Sequence, residues 1–278
     1  MNTNFIVIDT EFSRDRTYNP MLSIVQIQEY YDNVIHEIKI FDILDKSEQN
    51  INNIEYLKFI LQNDNIVKIG HSLKQDIEAI YYHFKFIIKN IFDTQIAAKA
   101  LNIKNEISYV DLVNLLLNKN ITKSKNLQYS KWLKRPLTTE QIIYAKQDVE
   151  FLFELYEKLI FSLENHENKD KFYNYCTNLT DITNYIFNPL TSWKSTYIYR
   201  LNNLQAHKLK QLWILREKIA YSKNVPKNRV IHQKDLFELI NNDINENSLE
   251  KSQIIQNILN KLPKFVDKNE FIKILNFQ

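Results

Sequence analysis

Strand-like patterns recur along the first forty residues: residues 4–12 are nearly continuously apolar up to Asp9, residues 22–29 alternate between apolar and polar side chains, and residues 33–41 are β-branched with polar interruptions. These patterns predict strands over residues 4–12, 22–29 and 33–41, which are rich in β-branched and aromatic residues. Three such segments in close succession favour an antiparallel meander. Two shorter apolar runs, residues 66–70 and 90–93, predict a short buried strand and a fifth strand.

Helical spacing of apolar residues begins between these strands and dominates after them. Helices are predicted over residues 54–62 and 75–84, and helical periodicity returns over residues 95–117. Thr138, with Gln141 three residues later, has the form of a capping box and begins a further predicted helix. The order βββαβαβ followed by helices predicts an α/β fold in which helices flank a mixed five-stranded sheet.

The chain changes character near residue 165, after which only helical patterns are found. The polar run 164–170 marks the break. We therefore expect a first domain over residues 1–165, a helical linker over residues 166–196 and a small all-helical domain over residues 197–278. Helices in the last of these are predicted over residues 203–222, 233–241 and 248–261.

Length and composition agree with two globular domains. The 278 residues are 44% hydrophobic and 25% charged, as is typical of soluble proteins. No run of about 18 uncharged apolar residues is present, and the first strand pattern starts almost at Met1, so we expect no membrane segment and no signal peptide. A cytoplasmic location is the default expectation, and it fits a chain whose single cysteine, Cys176, has no partner for an internal disulfide.

The net charge of +3 is divided unevenly along the chain. Residues 1–165 contain 19 Lys and Arg against 22 Asp and Glu, whereas residues 166–278 contain 17 against 11. An acidic half joined to a basic half suggests a polyanionic partner, although imbalances of this size are also found in ordinary soluble domains.

Three acidic residues stand at the ends of predicted elements. Asp9 and Glu11 are two residues apart in the first strand, so their side chains share one face about 7 Å apart and can reach one ion. Asp76 follows a buried strand that ends in the only glycine, Gly70, and the carboxyl ends of such strands are where open α/β sheets bind ligands. The simpler alternative for each acid alone is a polar strand end or an acid that favours a helix N-terminus.

Tyr144 and Asp148 are four residues apart on the predicted helix, which we expect to extend over residues 138–163. They therefore share one helical face and can converge on a common point. A Tyr-x-x-x-Asp spacing is common by chance, and it indicates a site only in combination with Asp9, Glu11 and Asp76. Together the five side chains would form a carboxylate cage for two divalent ions with a tyrosine directed at the attacking water, the equipment of phosphodiester hydrolysis.

Five motifs follow one another through the first 160 residues. They are Asp9-Thr-Glu-Phe12, Arg16-Thr-Tyr-Asn-Pro20 with residues 22–26, Asp93-Thr-Gln-Ile96, Trp132-Leu-Lys-Arg-Pro-Leu-Thr138, and Tyr144-Ala-Lys-Gln-Asp-Val149. In order and spacing they closely resemble the ribonuclease D family of DEDD exonucleases. The Tyr-x-x-x-Asp form is that of the family's tyrosine subclass.

The C-terminal part carries a second set of motifs. They are Trp213-Ile-Leu-Arg216 with Ala220, and then Asn224-Val-Pro-Lys-Asn-Arg-Val230. Through them residues 198–278 resemble the helicase-and-ribonuclease-D C-terminal (HRDC) domain. Family members often carry two such domains, and this chain has room for one.

The resemblance implies a ribonuclease H-like fold and a metal-dependent 3′ to 5′ exoribonuclease that releases 5′-mononucleotides. It implies RNA as the partner, with tRNA precursors as the substrate, and an HRDC-like domain that offers a basic docking surface. Two divalent ions, Mg²⁺ or Mn²⁺, are the implied cofactors. Hard cations of this kind prefer oxygen ligands, whereas zinc would want His or Cys.

The resemblance also implies a role for each residue of the cage. Asp9, Glu11 and Asp148 would hold the first ion. Asp9 would bridge to the second ion, with Asp76 helping through water. Tyr144 would orient the attacking water, because a phenol with an unperturbed pKa of about 10 is a poor general base.

Further residues are candidate contacts for nucleic acid. The stretch 119–135 contains six Lys and Arg and no acid, interleaved with Tyr129 and Trp132. Such a stretch can follow a phosphate backbone and offer a ring for stacking. The alternatives are a solvated basic loop, a tryptophan in the core and a histidine held by structural hydrogen bonds. The candidate contacts are Arg16, His71, Lys125, Trp132 and Arg135.

Two other functions stay open at this point. DNA exonucleases share the same site motifs, so the polymer is not decided by them. A non-catalytic nucleic-acid-binding module is the third alternative, and the presence of all five cage residues argues against it.

Overall fold

The structure, a computed structural model, describes residues 3–32, 34–122, 124–193, 201–242 and 249–277. By their internal contacts the residues divide into two compact units. Unit 1 comprises Met1–Ser13 and Pro20–Tyr185, and unit 2 comprises Arg14–Asn19 and Ile186–Gln278. Among the described residues, no helix is both long enough and apolar enough to cross a membrane.

Unit 1 is built on a mixed sheet, as expected from the sequence. Its described strands are β1 (Thr3–Ser13), β2 (Met21–Tyr31), β3 (Val34–Ile35), β4 (Lys39–Asp42), β5 (Val67–Gly70) and β6 (Ile91–Asp93). The order is β3-β2-β1-β5-β6, and β4 pairs with β2. β2 is antiparallel to β1, whereas β5 is parallel to both β1 and β6.

The predicted third strand, residues 33–41, is two short strands in the structure. The chain leaves the ladder at His36, whose amide donates to the carbonyl of Glu29 (2.9 Å) and whose carbonyl accepts from the side chain of Gln28 (3.0 Å). The sheet therefore has six described strands where five were predicted.

Eight helices flank this sheet in the described part of unit 1. They are α1 (Glu48–Gln62), α2 (Lys74–Phe84), α3 (Thr94–Ala100), α4 (Tyr109–Leu117), α5 (Lys125–Gln128), α6 (Thr139–Gln147), α7 (Leu152–Leu163) and α8 (Lys169–Leu179). The predicted capping box is present at the start of α6, where Thr138 and Gln141 exchange both hydrogen bonds.

The single helix predicted over residues 138–163 is wrong, because the structure divides it into α6 and α7. The amide of Phe151 donates to the hydroxyl of Tyr109 (3.1 Å), which takes this amide out of the helical ladder. Asp148 consequently stands at the C-cap of α6, still in a right-handed helical conformation.

The core of unit 1 includes residues beyond the predicted domain boundary at 165. Phe172 and Cys176 of α8 are buried against the sheet and its helices. This apolar face places α8 in unit 1, although the polar run before it led us to expect a linker.

The described part of unit 2 is helical. Its helices are α9 (Asn203–Ser222), α10 (Lys227–Val230), α11 (Gln233–Asn241), α12 (Leu249–Lys261) and α13 (Lys268–Leu275). The predicted helices are present, and α10 and α13 are additional. Leu212 and Trp213 of α9 pack with Leu236 of α11 and Phe271 of α13.

Unit 2 also includes the segment Arg14–Asn19, which follows β1 along the chain. Tyr18 donates its hydroxyl proton to Glu217 (2.8 Å), and its backbone amide donates to Asn224 (3.2 Å). Glu217 is fully buried and also pairs with Lys227 and Arg216, both at 3.1 Å. The buried carboxylate is therefore compensated by two cations and one hydroxyl.

Candidate metal centre

Three carboxylates meet at one point of unit 1. Asp9 and Glu11 of β1 and Asp148 at the end of α6 each place one oxygen within 4.8 Å of the other two. The alternation of β1 puts the first two on the same face of the sheet, as predicted. The helical turn after Tyr144 brings the third, since the amide of Asp148 still donates to the carbonyl of Tyr144 (3.3 Å).

This donor set fits a divalent metal ion. Oxygen atoms that ligate Mg²⁺ at about 2.1 Å lie no more than about 4.2 Å apart, and those that ligate Ca²⁺ lie slightly farther apart. The observed spacing requires only small side-chain adjustments to reach either range. Three partly buried negative charges this close also repel one another in the absence of a cation. The cluster is thus chemically suited to hold an ion.

Asp76 lies beside this cluster at the start of α2. The pairing of β1 with β5 ends at Val7 and Ile69, so among the described residues no strand continues along this edge of β1 after Val7. Asp76 takes that place, because its Oδ1 accepts from the backbone amide (3.1 Å) and the hydroxyl (2.5 Å) of Thr10. Burial, and next the charge of Asp9, raise the pKa of Asp76 well above its usual range.

The packing of the turn from β5 into α2 explains why residue 70 is a glycine. A Cβ atom on Gly70 would overlap the side chain of Leu73 and approach the carbonyl oxygen of Ile8 at 3.0 Å. Leu73 is fully buried at this turn. Gly70 therefore permits a close approach between this strand end and the turn that leads to Asp76.

Asp93 holds the same turn from the neighbouring strand. Its side chain is buried, and its Oδ1 and Oδ2 accept from the amides of Ser72 (3.0 Å) and Leu73 (2.8 Å). The same carboxylate caps α3 by accepting from the amides of Gln95 (2.9 Å) and Ile96 (3.2 Å). One residue thus fixes both the turn and the helix.

His71 is engaged within the fold. Its Nδ1 lies 2.8 Å from the hydroxyl of Thr94, and its Nε2 lies 3.0 Å from the carbonyl of Ile107. These contacts use both ring nitrogens, so they support the structural alternative for His71 and not a contact with nucleic acid.

Tyr144 lies on α6 one turn before Asp148, and it is largely buried. Its ring packs against Trp132, with the ring centroids 6.1 Å apart. Burial, followed by the charges of Glu11 and Asp9, raises the pKa of Tyr144 to about 12. The phenol consequently keeps its proton near neutral pH and can act as a hydrogen-bond donor.

Trp132 and Arg135 are both held inside the fold, and Trp132 lies next to Tyr144. Trp132 is only 1% exposed, so its ring cannot stack on a base. The guanidinium of Arg135 makes two bonds of 2.6 Å to Asp42 and donates to the carbonyls of Trp132 (2.7 Å) and Ser23 (3.2 Å). Both residues were predicted as nucleic-acid contacts, and the structure gives both of them contacts inside the fold.

The other candidate contacts have different surroundings. Arg16 is exposed, and the side chain of Lys125 lies outside the described residues. Within the basic stretch the exposed ring is that of Tyr129, which is 83% exposed, and Lys131 and Lys134 are exposed near it in the sequence.

The fold and the carboxylate cluster together define an α/β nuclease domain of the 3′-5′ exonuclease class. The chain belongs to the 3′-5′ exonuclease family, whose model matches residues 1–164. The resemblance to ribonuclease D is also confirmed. Ribonuclease D of Jannaschia sp. (strain CCS1) is 30% identical over 235 residues, which are 84% of this chain and 59% of that protein.

Solved structures give the same fold. RNase D of Escherichia coli, an exoribonuclease involved in structured RNA processing, matches with a TM-score of 0.71 and 22% identity over 99% of this chain and 71% of that one. NrnC of Brucella melitensis with bound Mg²⁺ matches with a TM-score of 0.55 and 22% identity over 72% of this chain and 92% of that one. The chain thus spans somewhat more than half the length of the ribonuclease D relative.

Proposed function

We propose that this protein is a metal-dependent 3′ to 5′ exoribonuclease that releases 5′-mononucleotides from RNA ends. The observation that carries the proposal is the cluster of Asp9, Glu11 and Asp148, with Tyr144 one turn away, on a fold of the 3′-5′ exonuclease family. The likeness to ribonuclease D favours RNA over DNA as the polymer.

We propose a role for each side chain of the site. Asp9, Glu11 and Asp148 would hold the first of two ions, Mg²⁺ or Mn²⁺. Asp9 would reach the second, with Asp76 acting through water because its Oδ1 is already bonded to Thr10. Bound divalent ions would lower the pKa of the attacking water and stabilise negative charge on the phosphate.

Tyr144 would orient the attacking water by donating a hydrogen bond to it. The raised pKa supports this role over that of a general base, because the phenol is protonated at neutral pH. The packing on buried Trp132 would keep the ring in one orientation.

The substrates we propose are RNA 3′ ends such as tRNA precursor trailers. The HRDC-like domain, residues 197–278, would add a docking surface for RNA, which the excess of Lys and Arg after residue 165 supports. In this proposal the exonuclease domain predicted over residues 1–165 is extended by α8, which packs in the core of unit 1, and the residues after α8 up to 196 form the connection. Transcript processing would place the protein in the cytoplasm.

Digestion of RNA and DNA tests the function directly. A 5′-labelled single-stranded RNA, its DNA twin and the same RNA in circular form would be incubated with Mg²⁺, Mn²⁺ or EDTA. We expect a ladder that shortens from the 3′ end on linear RNA, needs the metal and is absent from the circle. Shortening of DNA alone would replace RNA as the substrate, and no product with any ion would favour a binding module.

Tyr129 is the ring we expect to stack on the RNA. It is exposed and close in sequence to the exposed Lys131 and Lys134. The hydroxyl of Ser130 accepts from Gln141 (2.8 Å), which ties this loop to the first turn of α6. Loss of one base-stacking ring costs about 1–3 kcal/mol, so Tyr129→Ala should weaken RNA binding roughly 5- to 150-fold.

Tyr175→Ala is the matched control for this variant, because Tyr175 is also exposed (53%) and also lies near a lysine, Lys99. RNA affinity would be measured by fluorescence anisotropy in Ca²⁺ or EDTA, so that no cleavage occurs. Equal losses in both variants, or none in Tyr129→Ala, would contradict the assignment.

A further inference from the structure

Gln26 is a buried amide in the middle of β2, opposite the first carboxylate of the metal centre. The register of β1 and β2 pairs it directly with Asp9. Its side chain is fully buried, and its Nε2 donates to Oδ2 of Asp9 at 3.0 Å. The next pair on the same face of the sheet is Glu11 with Ile24. Gln26 therefore contacts the cluster from within the sheet.

The orientation of this amide is fixed by charge. An ionised carboxylate only accepts hydrogen bonds, so the amide nitrogen must face Asp9. The amide oxygen then points elsewhere, and within the described residues Oε1 of Gln26 is buried and has no hydrogen-bond partner. A buried acceptor without a partner costs about 1–3 kcal/mol. An apolar side chain of the same size would avoid that cost.

Apolar side chains flank Gln26 on its face of the sheet. Beside it on the same face of the sheet are Ile24 in β2 and Ile40, its partner in β4. Ile24 belongs to a buried cluster with Trp132, Tyr144 and Ala145, and Ile40 packs against that cluster. These neighbours would accept a methionine or leucine. The hydrogen bond to Asp9 is what distinguishes an amide from an apolar residue here.

We propose that Gln26 is a positioning residue for metal binding, an inference that rests on the proposed metal centre. With one oxygen of Asp9 held by Nε2, rotation of the carboxylate about its last side-chain bond is restricted. The ligand oxygen of Asp9 then stays in reach of Glu11 and Asp148 before an ion arrives. Such outer partners of a metal ligand typically contribute 10- to 100-fold in metal affinity or activity.

The test replaces the amide with an apolar side chain of similar length. Gln26→Met removes the donor and also the buried acceptor without a partner, so we expect the unfolding temperature in EDTA to be unchanged or raised. Titration of the metal-free protein with Mn²⁺ by calorimetry should show affinity lower by about 10- to 100-fold. Gln26→Asn, whose amide is one methylene too short to reach Asp9, should show the same loss.

Gln28→Met is the matched control. Gln28 lies two residues along β2 on the same face, and its Nε2 donates to the carbonyl of His36, away from the metal centre. Its variant should bind Mn²⁺ as the wild type does. RNA cleavage by the Gln26 variants should need more Mn²⁺ for half-maximal rate, while KM for RNA at saturating metal stays the same.

Each outcome of these measurements decides the inference. Wild-type Mn²⁺ affinity in folded Gln26→Met and Gln26→Asn, or an equal loss in Gln28→Met, would overturn it. If wild-type protein binds Mn²⁺ but cleaves no RNA, the proposed activity fails while the positioning role stands on the calorimetry. If the wild type binds no Mn²⁺, the metal centre and the role of Gln26 both fail.

Discussion

Asp148→Asn should reduce RNA cleavage by at least about a thousandfold while the protein stays folded. The substitution takes one charge out of the three-carboxylate cluster but keeps the size of the side chain. A metal ion contributes several kcal/mol to stabilising a transition state of this type, and about 4 kcal/mol corresponds to a factor of about 10³ in rate. Single-turnover cleavage of labelled RNA at saturating Mg²⁺ measures the loss.

A second measurement separates loss of the metal from loss of the fold. In EDTA, Asp148→Asn should unfold at the same temperature as the wild type or higher, because like charges at this spacing repel. Added Mn²⁺ should raise the unfolding temperature of the wild type but much less that of the variant.

Glu150→Gln supplies the control, since it removes an exposed carboxylate two residues from Asp148. It should cleave RNA at the wild-type rate. Near wild-type cleavage by Asp148→Asn would refute the assignment of the metal centre.

The cluster was predictable because its parts follow local rules. Strand alternation alone places Asp9 and Glu11 on one face, and helical spacing alone places Tyr144 and Asp148 together. That Asp148 lies close to β1 does not follow from local spacing, and it was predicted only through the resemblance of the motifs to a known family. The break after Asp148 was not predictable, because it depends on the hydroxyl of Tyr109, which is distant in sequence.

The roles of supporting residues were harder to predict than those of the acids. Gln26 reads as one polar residue in an alternating strand, and its partner becomes visible only through the register with Asp9. By composition alone, Trp132 and Arg135 fit an RNA-binding stretch as well as they fit residues held inside the fold. Their burial and contacts depend on β2 and β4, which the sequence pattern does not connect to them.

The buried carboxylate of Asp93 accepts hydrogen bonds from four backbone amides. Three amides, those of Ser72, Gln95 and Ile96, donate to its Oδ1, and that of Leu73 donates to its Oδ2. Ser72 has a φ of 61°, a left-handed conformation that is unfavourable for a residue other than glycine. Bonds from Asp93 to two consecutive amides of the turn offset that strain.

Asp93→Ala should therefore lower the free energy of unfolding by about 3–5 kcal/mol, because a buried hydrogen-bond donor that loses its acceptor costs about 1–3 kcal/mol and several amides lose theirs together. The variant leaves four amides without their acceptor. Urea unfolding of the metal-free protein measures the change. Ser108→Ala is the control, because Ser108 also caps a helix, α4, but accepts only one amide, and such a cap is worth about 1 kcal/mol.

Asp93→Asn refines the prediction, because its one carbonyl oxygen can replace Oδ1 but not Oδ2. It should keep the cap of α3 and lose chiefly the bond from Leu73, with a smaller loss of stability than Asp93→Ala. Leu73 immediately precedes α2, whose first turn contains Asp76. Loss of the bond to Leu73 should therefore displace Asp76, and we expect cleavage by folded Asp93→Asn to fall although no ligand of the first ion has changed. Equal destabilisation by Asp93→Ala and Ser108→Ala would show that Asp93 is only a helix cap and that the turn before α2 is held by its other contacts.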